Sequence, residues 1–319
     1  MMEKQHRVGV KEAGLRFGAL FVVVALTLAL YLLWFRPAQL TWGAREGEIR
    51  RTMPGDELHQ APDFLATRAV TIQGEAEDIW PWLIQMGHGR AGFYGYDLLE
   101  NIGSPRGIRS AGRIIPTLQD FQAGDDLPIS SLVTYRIAAL KEDHSVVWAG
   151  EGENPGVFAW VLYPQPDGST RLVSRVTWSY HPGKPGSLVL EVFTEFADHL
   201  AVRKILQGIK GRVEGEMEPF WAQNLELFSY LLAFLGFGSA LLNLLVRPLT
   251  WARWLIALGA GISWLMIWYG GLPFGVGLAL AALVLYLVWR RGREQLQHPA
   301  NSSSGPESSG PASSRSDGA

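Results

Sequence analysis

Asp97 and Glu100 stand three residues apart in a short segment, 96–102, whose pattern predicts a helix, so their carboxyl groups can share one face. Such a pair does acid–base work when one member is desolvated. The plainer reading is a helix-capping Asp97 and a solvated Glu100. A second group is Glu195, Asp198 and His199, in which Glu195 and His199 lie one helical turn apart and could chelate a metal. No third ligand stands out elsewhere, a charged outer helix face accounts for all three, and no metal is expected. His88, in Gln-Met-Gly-His-Gly-Arg, and His181, just after 178–180, are each either a general base, a polar anchor for a ligand or an ordinary loop histidine. Arg90 lies in the same Gly-rich loop beside aromatics, where a guanidinium could hold a carboxylate or a lipid phosphate. The chain contains no G-x-S-x-G, no H-E-x-x-H, no phosphate-binding loop and no G-x-G-x-x-G in strand–helix context. Hydrolase, zinc-protease, nucleotidase and dinucleotide readings therefore lack support, and no cofactor is expected.

The elements that would position these residues lie between two apolar ends. Segment 66–74 reads as a strand, followed by a helix over 76–86 carrying Trp80, Trp82, Leu83 and Met86, and then a Gly-rich loop with Phe93, Tyr94 and Tyr96. Strands are predicted at 114–116, 131–141, 145–150, 157–163 and 171–180, where apolar residues alternate or run together between Gly, Pro and Asp turns. The turn PQPDGST carries Asp-Gly, which supplies the positive φ that tight hairpins need. A long helix over 187–214 has apolar Leu188, Val192, Phe196, Leu200, Ile205 and Ile209 at helical spacing. Glu191, Glu195, Asp198, Arg203 and Lys204 are expected on its outer face.

Of the 319 residues, 48% are hydrophobic, and the mean hydropathy of +0.08 fits one globular domain joined to several membrane spans. Segment 17–35 carries no charge and is long enough to cross a bilayer as a helix. Segments 227–246, 251–269 and 274–289 repeat the pattern, giving about four spans, or three with a re-entrant segment. Lys4, Arg7, Lys11 and Arg16 precede the first, Arg247 and Arg253 separate the second from the third, and Arg290, Arg291 and Arg293 follow the fourth. The positive-inside rule puts these clusters in the cytoplasm and the intervening domain outside it, in a multi-pass protein of the cell membrane. Arg36, Arg45, Arg50 and Arg51 weigh against that orientation, and a basic start before an apolar core also resembles a secretory signal, although no cleavage site is evident. The expected organisation is thus a cytoplasmic N-terminus (1–16), a first span (17–35), a loosely ordered tether (36–65) of which a part could pack on the domain, a domain (66–216), three further spans and a disordered Ser/Gly/Pro tail (295–319).

Cysteine is absent, which excludes disulfides, thiolate catalysis and thiolate metal sites. A formal net charge of −2 and a pI near 6.4 provide no basic field, so nucleic acid is not an expected partner.

The stretch ATRAVTIQGEAEDIWPWLIQMGHGRAGFYGYDLLEN, the following RIIPTLQDFQAGDDLPI and the late LAVRKILQGIKGRVEGE together resemble the START-like superfamily of helix-grip proteins, also called SRPBCC or polyketide cyclase/dehydrase-like, over about 67–216. The resemblance implies an α+β fold in which a bent antiparallel sheet surrounds a long C-terminal helix. A deep cavity would lie between them, lidded by the short helices and the Gly-rich loop. Matched residue by residue, it puts Trp82 and Met86 on the first helix, Tyr94 and Tyr96 in the lid, Trp148, Trp160 and Trp178 on strands, and Phe193 and Phe196 on the grip helix, near or in the cavity. Arg90 joins them as a candidate polar contact. Plain core packing is the alternative for any one of these aromatics. The expected function is a membrane-anchored domain that binds an apolar or amphipathic small molecule such as a lipid, with the membrane and that molecule as its partners. A cyclase- or isomerase-like enzyme, and a sensor coupled to the membrane helices, are the alternatives.

Overall fold

The computed structural model describes residues 2–100, 109–152, 156–180, 187–247, 249–270 and 274–293. His181 and segment 295–319 lie outside the described residues. Helix α1 (Met2–Leu30) continues through a π-helical turn (Tyr31–Phe35) into α2 (Arg36–Leu40), so the first apolar segment and the start of the linker form one rod. Then come α3 (Glu46–Arg50), a 3₁₀ turn (Asp56–Leu58), β1 (Phe64–Ile72), α4 (Ala76–Ile84) and α5 (Asp97–Glu100). A second 3₁₀ turn (Pro116–Leu118) precedes β2 (Asp126–Pro128), β3 (Thr134–Lys141), β4 (Ser145–Ala149), β5 (Val157–Pro164) and β6 (Thr170–Trp178). The long α6 (Ser187–Val213) leads to α7 (Phe220–Val246), α8 (Trp251–Tyr269) and α9 (Phe274–Arg293).

The six strands form one antiparallel sheet in the order β1-β6-β5-β4-β3-β2. The predicted β5–β6 hairpin is present, with Gly168 at φ 81° and Asp167 accepting from the Ser169 N–H and hydroxyl. The expected strand at 114–116 is instead the entry to a 3₁₀ turn, because Pro116 has no N–H to give a ladder. Alternation along the strands sends Phe64, Trp148, Trp160, Leu172 and Val176 to one face, where α4 and α6 cover them.

The opposite face carries Ala69, Val147, Ala159, Val161 and Val173, together with Arg171 and Arg175. It is covered by the linker, which corrects the expectation of a loosely ordered tether over 36–65. Arg171 pairs bidentately with Glu48 at 2.8 and 2.7 Å and donates to the Gly43 carbonyl at 2.8 Å. Arg175 reaches Asp56 at 2.7 Å and the carbonyls of Glu48, Ile49 and Arg51 at 3.0, 2.9 and 2.8 Å. These two strand arginines satisfy linker carbonyls that would otherwise be buried unpaired. Gly43, at φ 70°, comes so close to the sheet that a Cβ there would stand 2.1 Å from the Ala69 carbonyl oxygen. The linker is thus a strap bound to the back of the sheet.

Helices α1, α7, α8 and α9 pack as a bundle. Gly236 lies against Val284, Gly261 against Thr27 and Phe237, and Ala240 in the bundle core. These small residues set the helix-to-helix approach inside the bundle, not its contact with the domain. Three helical segments, Val10–Leu40, Phe220–Val246 and Trp251–Tyr269, are long and apolar enough to cross a membrane, and Gly275–Arg290 is a shorter apolar helix.

Candidate functional site

A cavity of about 380 Å³ opens between the sheet and α6. Its sheet wall is Trp148, Phe158, Trp160 and Trp178, and its loop wall Phe93, Ile129 and Glu100. The α6 wall is Thr194, Ala197, Asp198, Ala201, Val202 and Ile205, spaced three and four apart on one helix face. The sheet wall is rigid because its rings brace one another: Trp148 lies 5.5 Å from Trp160 and 6.2 Å from Phe93, and Trp178 stacks on Phe64 at 3.8 Å. Small Ala197 and Ala201 leave the α6 side open at the mouth.

Of the aromatics the sequence points to, Trp148, Trp160 and Trp178 border this cavity. The others lie elsewhere. Met86 is fully buried in the core, and Trp82 meets Tyr94 edge-on at 5.8 Å. Tyr94 adopts φ 63°, donates its hydroxyl to the Trp82 carbonyl at 3.0 Å, and lies under the Arg212 guanidinium at 4.3 Å. It clamps the Gly-rich loop to α6 at Gly208, where a Cβ would stand 2.0 Å from the Tyr94 carbonyl oxygen. Tyr96 turns toward the bundle and shares a hydrogen bond of 3.0 Å with Tyr230. Phe193 is 60% exposed, one turn before Ala197. Phe196 faces away from the sheet, stacked on Tyr31 at 4.7 Å and against Trp268 at 5.2 Å. Arg90 donates to the carbonyls of Ile84, Met86 and Leu118 and lies 3.8 Å over the Phe121 ring, so it holds the loop together. Burial lowers its pKa.

Of the charges of α6 expected on a solvated face, Glu195, Asp198, Arg203 and Lys204 are buried, because the helix is covered on two sides, and Glu191 is partly exposed. Glu195 accepts both forks of Arg36 at 2.7 and 2.8 Å and the hydroxyls of Tyr31 and Tyr180. Asp198 pairs with the fully buried Arg68 at 2.6 Å; burial raises the Asp198 carboxyl while Arg68 pulls the other way. His199 lies against the Tyr269 carbonyl at 3.2 Å, and burial, with Arg68 adding, pushes its imidazole down to about 3, so it stays neutral. Arg203 reaches Glu226 and Tyr230 at 2.8 and 2.7 Å. Glu195, Asp198 and His199 thus go to three different partners, and no group of metal-ligating side chains occurs among the described residues. His88 is partly exposed, outside the cavity wall.

Glu100 is the member of the Asp97–Glu100 pair that reaches the cavity. It is half-buried, borders the cavity, and accepts the backbone N–H groups of Phe93 at 3.0 Å and Gly95 at 2.9 Å. Burial pushes its carboxyl up to about 7, with Asp97 adding to the rise and the Phe93 and Gly95 amides and Arg212 opposing it. The signal was present in the Gly-rich loop before α5, which leaves backbone N–H groups in need of an acceptor. Asp97 takes the other role, accepting the Ser110 N–H at 2.9 Å and hydroxyl at 2.6 Å.

No family model and no curated protein matches the chain. Among solved structures, a START superfamily protein from Mycobacterium smegmatis is similar at 15% identity and a TM-score of 0.28, over 47% of this chain and 97% of that one. A second Mycobacterium smegmatis protein, Ms6760, is similar at 14% identity and 0.27, over 47% and 91%. A Thermus thermophilus protein follows at 12% and 0.26, over 49% and 100%. Similarity at this level says nothing of what this chain binds. The chain's own topology, an antiparallel sheet with a long helix laid across it, is that of an α+β domain consistent with the helix-grip class, attached to a bundle of apolar helices.

Proposed function

We propose that the protein is a membrane-anchored binding module whose helix-grip domain takes an apolar or amphipathic small molecule, a lipid or lipid-like compound, into the cavity between the sheet and α6. The observation that carries this reading is the cavity itself, of a size typical of small-molecule sites, walled by braced tryptophans and opened by two alanines. Anchoring is supported by the bundle's helices, on which Phe21, Leu33, Trp34, Phe234 and Leu242 are each exposed; so many large apolar side chains would be costly in water. The orientation with the domain outside the cytoplasm is supported by charge placement. Arg16 reaches the Leu245 carbonyl at the end of the bundle away from α6, whereas Glu226, Tyr230 and Gly270 lie at the α6 end. Arg36 and Arg50, which weighed against it, pair with Glu195 and Glu46.

Photo-crosslinking with an apolar diazirine probe, on the full chain in lipid nanodiscs, tests the cavity reading. Label is expected in peptides carrying Trp148, Phe158 and Trp178. Label confined to α1 and α7–α9 would contradict the reading.

Two alternatives each have an observation behind them. Because α6 gives one face to the cavity and the other, through Phe196, His199 and Arg203, to the bundle, ligand occupancy could be sensed by the helices. A carboxyl poised near neutrality at the cavity wall, Glu100, is also what an enzyme acting on an apolar substrate would use as an acid or base.

A further inference from the structure

Resting on the cavity reading, we infer that the ligand carries a positively charged end, as in a hydrophobic amine, and that Glu100 is the group that receives it. Two ionisable side chains border the cavity, and both are acids. Asp198 is already neutralised by Arg68, which lies behind it. Glu100 makes no ion pair among the described residues. Its two oxygens take one backbone N–H each, whereas an ionised carboxylate offers about four acceptor positions, so further donors can be accepted on the cavity side. The rest of the lining, apart from Thr194, is apolar. Thr194 spends its hydroxyl on the Leu190 carbonyl at 2.8 Å. The indole N–H groups of Trp160 and Trp178 are occluded from the cavity space and cannot invite an anion.

The charges that face Glu100 are few. Asp97 stands beside it on α5, and Arg212 on α6 is occupied by the carbonyls of Ala111 and Gly208 and by the Tyr94 ring. A cation entering this apolar space meets a carboxylate that has no ion-pair partner among the described residues, in surroundings where a charge-assisted hydrogen bond is stronger than in water. A carboxylate ligand would meet repulsion instead. Aromatic walls from Trp148, Phe158 and Phe93 add cation–π attraction.

The test uses three probes of one skeleton, naphthylmethylamine, ethylnaphthalene and naphthylacetic acid. Their binding to the full chain in zwitterionic nanodiscs is measured by equilibrium dialysis against empty nanodiscs. The amine is expected to bind about tenfold tighter than the hydrocarbon, which a charge-assisted contact of roughly that strength gives, with the acid weakest. Affinity for the amine should fall as pH drops below about 7, where Glu100 takes up a proton while the probe stays charged. Glu100→Gln should bring the amine down to the level of the hydrocarbon measured on the same variant, with circular dichroism reporting that the variant is folded. Should Glu100→Gln not fold, the pH dependence of the wild type decides alone. Equal binding of amine and hydrocarbon by the wild type, or an amine preference that survives Glu100→Gln, overturns the inference and leaves the cavity reading standing. Failure of all three probes to bind above empty nanodiscs overturns both.

Discussion

At the scale of single residues, burial and backbone approach decide what each side chain does. Glu100 binds its proton more tightly in the folded chain, near 7, than at its ordinary value of 4.5. The folded state therefore holds more protons between those values, and the stability contributed by this group is present below about pH 4.5 and lost as pH rises to about 7. Melting temperatures of the wild type and Glu100→Gln across that range should show this component in the first and not in the second; parallel curves would refute it. Gly208 permits a 2.0 Å approach that no side chain tolerates, so Gly208→Ala should destabilise the chain by about 1–3 kcal/mol in denaturant unfolding by forcing the Tyr94 loop off α6. The Asp97–Glu100 pair was legible as an acid–base candidate, but not which of the two reaches the cavity, and the Gly208 contact was not legible. Glu100 reads as solvated until the loop at Phe93 and Gly95 is seen to close over it, and nothing in the run around Gly208 announces Tyr94.

Among the elements, those whose pattern depends on one partner were legible. Strand alternation, the Asp-Gly hairpin, α4 and the apolar helices fall close to where periodicity places them, because each signal is local. Helix α6 was misread because it has two partners: the sheet takes one face, the bundle another, and the charges between them are paired with Arg36, Arg68 and Glu226. The strap over 36–63 was misread for a similar reason, since its apolar content is low and its order comes from arginines more than 100 residues away in the chain. Arg171 and Arg175, four apart in a strand that is buried along most of its length, were the available clue. Arg171→Met leaves the Glu48 carboxylate buried without its counter-ion, held only by the Arg45 backbone N–H, and should cost about 3–5 kcal/mol. Adding Glu48→Leu should recover most of that loss. Limited proteolysis within 44–60 reads the same event, with cleavage in the single variant and protection in the pair.

In the whole molecule, a cavity domain with its strap and an apolar bundle meet through one shared helix, α6. The absence of cysteine makes its orientation directly testable with single introduced thiols. Leu132, 93% exposed on the domain, should react as Leu132→Cys with a membrane-impermeant maleimide in intact cells, and Glu12→Cys on α1 only after lysis. The reverse pattern would put the domain in the cytoplasm. The central claim is that the cavity between the sheet and α6 holds an apolar molecule. Its most direct test is native mass spectrometry with organic extraction of the full chain, released from nanodiscs, beside Ala201→Trp, which fills the cavity mouth. A stoichiometric adduct on the wild type that is extractable as an apolar compound, and is missing from Ala201→Trp, is the predicted result. An adduct shared equally by both forms, or none on a folded wild type supplied with membrane lipid extract, would contradict it.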